Sequence, residues 1–319
     1  MFLIDCNQLR IGGSIGIVLC SDQYTSSDHL LQCADAALYH AKSEGRGVYR
    51  FYDRHLDEAQ SRRRQLEADL SSAVEGEQLE IHYQPKIRIG SSGEICGFEA
   101  LVRWRHPVLG LMPPLEFIQL AEDTGAIMGI GKWVLQTACR DFSTLPVDWT
   151  VAVNCSASQL LQSDLDKDVM EILITSGLAA HRLEIEITET MLMRNERRTL
   201  DKLEALRRLG VRISLDDFGT GYSSLSYLHT YPVDCIKIDR SFVKTIGSQK
   251  DATPIIRTIV AMAHELNLTT VAEGVETEEQ LTVLESTGCT AAQGYLFSPP
   301  RPLSEALAWA ASYERKVAA

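Results

Sequence analysis

Six apolar, strand-like runs in the C-terminal two thirds of the chain each finish on a polar side chain. Val151-Ala152-Val153 ends in Asn154, and Leu183 to Thr188 carries Glu186 near its end. Val211 to Leu215 ends in Asp216-Asp217, and Asp234 to Asp239 holds Lys237 late in the run. Thr269 to Ala272 ends in Glu273, and Thr290-Ala291-Ala292 ends in Gln293. Glu99, within Phe98-Glu99-Ala100-Leu101, adds a further strand-borne carboxylate. One polar residue after a strand is commonly the N-cap of the next helix. A whole series of them constrains the chain more tightly, because strand ends that share one rim of a parallel sheet are where such folds place their chemistry.

The rest of the pattern supports that frame. Strands are expected at 79–84, 95–104, 149–154, 182–188, 211–216, 233–238, 269–273 and 290–293. Amphipathic helices are expected between them at 114–122, 129–142, 164–176, 195–209, 253–266 and 276–286. This alternation predicts βαβ units and a mostly parallel sheet. About eight strands in a stretch of about 235 residues fits a closed α/β barrel of the (β/α)₈ TIM type, which runs to about 250 residues. The first strand follows a linker helix and is the one open to an antiparallel orientation.

Charge then narrows the chemistry. Glu99, Glu186, Asp216, Asp217 and Glu273 would gather against a single cation, Lys237. Like charges at close range raise one another's pKa and destabilise the fold. Two divalent cations would neutralise the set, and all-oxygen donors suit Mg²⁺ or Mn²⁺ better than zinc. The formal net charge of −12 argues against a grip on a nucleic-acid polymer. The 8 cysteines form no CxxC pair, which favours reduced thiols and a cytoplasmic setting. No apolar run approaches the ~20 residues that span a bilayer, so no direct membrane contact is expected of this chain.

Residues 77–311 resemble the EAL-domain c-di-GMP phosphodiesterases. The segments that carry the likeness are YQPK (83–86), EALVRWRHP from Glu99, VNCS (153–156), EITET (186–190), DDFGTGYSSLSYL (216–228), IKIDRSFV (236–243), VAEGVET (271–277) and QGYLFSPP (293–300). The resemblance implies hydrolysis of cyclic di-GMP to linear pGpG by two metal ions, Mg²⁺ or Mn²⁺. It places their ligands on Glu99, Asn154, Glu186, Asp216, Asp217 and Glu273. Glu273, Lys237 and Gln293 fall on positions that activate or orient the attacking water. Arg103 falls on a phosphate contact, and Gln84 on a strand facing the ligand. Glu189 falls on a glutamate that anchors the loop from Phe218 to Ser224. A homodimer is also implied. The one variation is Cys155, where an apolar residue is usual.

Residues 1–52 resemble the C-terminal third of a GGDEF (diguanylate cyclase) domain through Ser14-Ile15-Gly16 and the stretch from Ala34 to Lys42, followed by Gly45-Arg46. The signature loop is absent, so this remnant is not expected to make c-di-GMP, and a complete GGDEF domain is expected upstream in a parent protein. The organisation read from sequence is therefore 1–52 remnant, 53–76 linker helix, 77–311 barrel and 312–319 tail. The location is expected to be the cytoplasm, or the cytoplasmic part of a larger, membrane-anchored protein. Three rivals stand beside this reading. One is a c-di-GMP receptor without turnover, and one is another metal-dependent barrel enzyme. The third, a kinase prompted by Asp217-Phe218-Gly219, lacks the accompanying phosphate loop and HRD segment. His106, Trp104, Trp133, Trp149 and Trp309 are expected to be structural.

Overall fold

A computed structural model describes the chain except residues 1, 5–6, 10–12, 20–25, 44–46, 91–92, 146–147, 162–163, 193–195, 221–227, 229, 249–250 and 318–319. Residues 1–69 and 70–319 form two compact units.

The larger unit is built on eight strands: β1 (Leu79–Arg88), β2 (Ile95–His106), β3 (Thr150–Asn154), β4 (Leu183–Thr188), β5 (Arg212–Phe218), β6 (Cys235–Ile238), β7 (Thr269–Ala272) and β8 (Ala291–Ala292). They pair in sequence order from β2 to β8, all parallel. β1 closes the ring by pairing with both β2 and β8, antiparallel to each. The fold is thus an α/β TIM-type barrel with one reversed strand, the strand for which the sequence left that orientation open.

Strand alternation explains where the core lies. On β4 the apolar Leu183, Ile185 and Ile187 alternate with Glu184 and Glu186, and all five are buried. Successive side chains of a strand face opposite sides. One side packs on the surrounding helices with Val151, Val153, Ile213, Leu215, Ile236 and Ile238. The barrel interior receives the other side, including Gln84, Lys86, Glu99, Glu184, Glu186, Lys237 and Gln293. Branched aliphatic residues usually fill that space in such barrels. Here buried charge occupies much of it.

The helices depart from expectation in several places, among them three short helices that were not anticipated, Ala157–Leu161, Glu189–Leu192 and Arg240–Val243. The segment expected as one helix over 114–122 is a 3₁₀ turn, Pro114–Glu116, followed by a helix Ile118–Thr124. Pro113 and Pro114 supply no N–H, and a proline suits only the first turn of a helix. A C-terminal helix, Leu303–Val317, continues through the boundary expected at 311 and 312. Its buried positions include the small Ala306 and Ala310, which give a weak periodic signal. Elsewhere the local signals hold. Thr277 accepts from the Gln280 N–H while the Gln280 side chain accepts from the Thr277 N–H, a capping box that starts the helix Glu278–Thr287. His106 accepts from the Val108 and Leu109 N–H groups and packs edge-on against Trp104, as a structural residue would.

In the smaller unit, a helix Ser27–Ser43 packs on a parallel pair, Ile15–Ile17 with Tyr49–Phe51. Gly16 is required there, because a Cβ would run into the backbone of Ala34 and Leu38. A short antiparallel pair, Phe2–Ile4 with Asn7–Leu9, was not anticipated from the sequence. The linker helix spans Arg54–Ser71. Arg63 pairs with Glu67 one turn on at 3.1 Å, the solvated arrangement its charge run suggests.

Candidate active site at the barrel mouth

The strand-end residues converge. Lys237, on β6, is fully buried, and its Nζ lies 2.6 Å from Glu273 Oε1, 2.7 Å from Glu186 Oε2, 3.2 Å from Asp216 Oδ1 and 3.6 Å from Glu99 Oε2. These carboxylates come from β2, β4, the end of β5 and the residue after β7. Asn154 Nδ2 donates to Glu99 Oε1 at 2.7 Å, and Gln293 Nε2 donates to Glu99 Oε2 at 2.6 Å. All the strand-end residues singled out in the sequence therefore share one rim.

Asp217 differs from the rest. It is an exposed side chain on a backbone with φ of +53°, where the β5–β6 register shifts. A non-glycine residue in this region is strained and is held by its surroundings. The Asp217 N–H donates to Asp216 Oδ1 at 2.9 Å, which ties the two acids together. Oxygens of Asp216, Asp217 and Glu273 lie within 4.8 Å of one another, close enough to share a cation.

Electrostatics separate the acids. Burial pushes the Glu186 carboxyl well up, and the nearby Glu99 charge adds to it. Burial also raises Glu273, to about 7, against the pull of Lys237. Asp217 is raised by burial and by Asp216. Glu99 ends below the ordinary range. Burial opposes its charge, but Lys237 and the two amide donors outweigh that. Lys237 is held well above the usual lysine value, because its carboxylate partners overcome the cost of burial. One ammonium cannot satisfy this many acids.

The remaining expected residues fall around this centre. Gln84 is buried, and its amide is engaged by protein. Nε2 donates to Ser298 O at 3.1 Å, and Oε1 accepts from Gln293 at 3.0 Å. Arg103 is half-buried and donates to Val102 O at 2.9 Å. Glu189 accepts from the Gly219 N–H at 3.2 Å, which joins the end of β4 to the loop after β5. Residues 221–224 of that loop lie outside the described residues. Cys155 is buried, and burial pushes its thiol up to about 12, so it carries no reactive thiolate. A cleft of about 610 Å³ opens beside the acids. Asn154, Asp216 and Asp217 line one side, and Leu101, Leu115 and Ile118 give it an apolar wall.

Sequence reasoning did not single out Lys86 or Glu184. Both are buried in the barrel interior and meet at 2.8 Å. The available signal was the alternation of charge with isoleucine along β4.

A TIM-type barrel with one reversed strand and an acidic cluster on its C-terminal rim defines the class. The EAL domain family matches residues 67–300, and the chain belongs to that family. It is 44% identical over 305 residues to the cyclic di-GMP phosphodiesterase NbdA of Pseudomonas aeruginosa, covering 94% of this chain and 39% of that protein. It is 42% identical over 311 residues to the bifunctional diguanylate cyclase/cyclic di-GMP phosphodiesterase MucR of the same organism, covering 96% of this chain and 45% of that one. The chain thus spans less than half the length of these curated relatives. The solved PaMucR phosphodiesterase, a c-di-GMP complex, superposes with a TM-score of 0.73 at 44% identity. That match covers 76% of this chain and 99% of the other. Among the described residues, no helix is long and apolar enough to cross a membrane.

Proposed function

We propose that this chain hydrolyses cyclic di-GMP to linear pGpG with two divalent cations, Mg²⁺ or Mn²⁺, held by Glu99, Asn154, Glu186, Asp216, Asp217 and Glu273. The observation that carries the proposal is the convergence of Glu99, Glu186, Asp216 and Glu273 on Lys237 at the mouth of an EAL-family barrel. The donor set fits hard cations, being all oxygen. Glu186 Oε1 and Gln293 Oε1 are buried at the centre without a hydrogen-bond partner, a costly state that a cation or an ordered water would relieve. When bound, the pair of cations supplies charge neutralisation and Lewis acidity at the phosphodiester.

The chain's own groups do the rest. Lys237 Nζ orients the attacking water, and the Glu273 carboxylate beside it accepts its proton. A P–O bond to the water oxygen forms as the bond to the ribose 3′ oxygen breaks, and the proton taken by Glu273 passes to that oxygen, which leaves as the 3′ hydroxyl. Arg103 offers its fork of donors to a phosphate. Gln84 acts at the ligand-facing wall through Gln293. The apolar side of the cleft takes the remainder of the nucleotide.

The proposal extends to the flanks. Residues 1–52 are a remnant of a GGDEF domain and 53–76 a linker, within a parent protein that carries a complete GGDEF domain upstream. The matches to NbdA and MucR cover most of this chain, well beyond 67–300, which supports that reading. The assembly is a homodimer, and the setting is cytoplasmic. The free state of all the described cysteines suits that setting.

The test is chromatography of c-di-GMP incubated with the protein and Mg²⁺ or Mn²⁺. Metal-dependent pGpG is expected. Binding of the dinucleotide with no pGpG under either metal would make the chain a receptor and overturn the proposal.

A further inference from the structure

Lys86 and Glu184 form a second buried ion pair inside the barrel, and nothing in the reaction proposed above uses it. Lys86 stands on β1 and Glu184 on β4, so the lysine reaches across the interior to a strand that is not its neighbour. Lys237 does the same from β6, and its target is Glu186 on the same β4. Two lysines from different walls therefore converge on two carboxylates that sit two residues apart on one strand. Lys86 is 2% exposed and Glu184 is 6% exposed, so neither charge is screened by water.

The pairing is selective, with Lys86 Nζ 2.8 Å from Glu184 Oε2 and Lys237 Nζ 2.7 Å from Glu186 Oε2, and the two carboxylates share one face of β4. Glu184 feels the charge of Lys237, and Glu186 feels the charge of Lys86. A buried ion pair is a poor source of stability, because apolar residues of similar size do as well. Its presence beneath the acidic centre calls for another account.

We propose that Lys86 is a positioning residue for this centre: by holding Glu184 it leaves Lys237 to Glu186, Asp216 and Glu273. If Lys86 is removed, Glu184 is a buried carboxylate that recruits Lys237, the other buried lysine among the described residues. If Glu184 is neutralised, Lys86 is a buried ammonium free to capture Glu186. Removing both leaves nothing to compete.

The inference rests on the proposed phosphodiesterase reading for its activity readout, so a second readout is independent of turnover. Lys86→Met, Glu184→Gln and the double variant are compared with the parent. Each single change is expected to lower kcat by about tenfold or more with KM nearly unchanged, and the double to recover to within about threefold of the parent. Calorimetric titration with Mn²⁺ needs no substrate. The Mn²⁺ dissociation constant should weaken at least about fivefold in Glu184→Gln and return to within about twofold in the double. Losses that simply add, or silent single variants, would overturn the inference. If Lys86→Met does not fold, Glu184→Gln against the double still decides the sign. A parent that cleaves nothing removes the phosphodiesterase reading alone, and the Mn²⁺ titration then decides the pairing.

Discussion

Lys237 on β6 meets Glu186 on β4 at 2.7 Å, with both side chains essentially excluded from solvent although 51 positions separate them in the chain. The contact is the hub of the acidic centre, and it sets the first expectation. Lys237→Ala removes the ammonium that Glu186, Asp216 and Glu273 share. Breaking a buried pair in this way costs on the order of 3–5 kcal/mol. Urea denaturation in EDTA should show that loss, and saturating Mg²⁺ should recover much of it. Turnover should stay at least about a hundredfold low even then, because the group that orients water is gone. Wild-type turnover in the variant would remove Lys237 from the chemistry.

Alanine at Glu99, Asp216 or Glu273 should each reduce pGpG formation by at least about a hundredfold with the circular dichroism spectrum retained. Glu99 gives the sharpest case, since Asn154 and Gln293 both spend a donor on it. A Glu99→Ala protein that turns over normally would show that the centre was wrongly assembled.

The raised acids make a pH prediction for the metal-free protein. Glu273 titrates at about 7 in the folded state, against an ordinary value near 4.5 when unfolded, and Glu186 and Asp217 shift the same way. A raised folded value means the favourable contribution is complete below 4.5 and is lost as pH rises through 7. Glu99 and Glu184 are lowered, so their contribution is already complete above 4.5 and does not offset that loss. Melting temperature in EDTA should therefore fall between pH 5 and about 7.5. With saturating Mn²⁺ the fall should flatten, because cations favour the ionised acids. A flat profile in EDTA would contradict the burial of Glu186 and Glu273.

Glu189→Ala should free the Gly219 N–H. The loss of a hydrogen bond to a charged acceptor costs about 1.5–3 kcal/mol locally. Amide exchange at Gly219 and Thr220 should speed up by at least about tenfold, with protection in β4 little changed. Unaltered exchange at Gly219 would mean that the loop is held by something else.

Thr277→Ala offers a control away from the acids. It removes one half of the capping box at Glu278–Thr287. The expected cost is about 1 kcal/mol of stability, read by thermal melting, with turnover per folded molecule unchanged. A large loss of turnover would tie this helix to the site in a way its position does not explain.

Much of this centre was legible before the fold was known. Asn154, Glu186, Asp216, Lys237, Glu273 and Gln293 stood out because a short apolar run ahead of each set both its strand and its place near the strand's end. The antiparallel option for β1 was also left open, because that strand follows the linker helix; the short connection from Arg88 to Ile95 leaves no room for a crossover and decides it. The helix Leu303–Val317 was not anticipated, because its buried face uses alanines that barely differ in hydropathy from their neighbours. The break between Pro114–Glu116 and Ile118–Thr124 was blurred by a continuous apolar pattern across two prolines.

The order of strands, the polar residue at each strand's end and the surplus of acid over base are all properties of the linear chain. They follow from local periodicity and from counting charges. The partnerships are different. Which lysine takes which carboxylate, why Gln84 turns to Gln293, and that Lys86 pairs with Glu184 from across the barrel depend on ring closure. Closure brings β1 and β6 to face β4, and no spacing along the sequence encodes that distance. In the low-dielectric interior it creates, an angstrom or two decides which charges are paired and which are left for a cation.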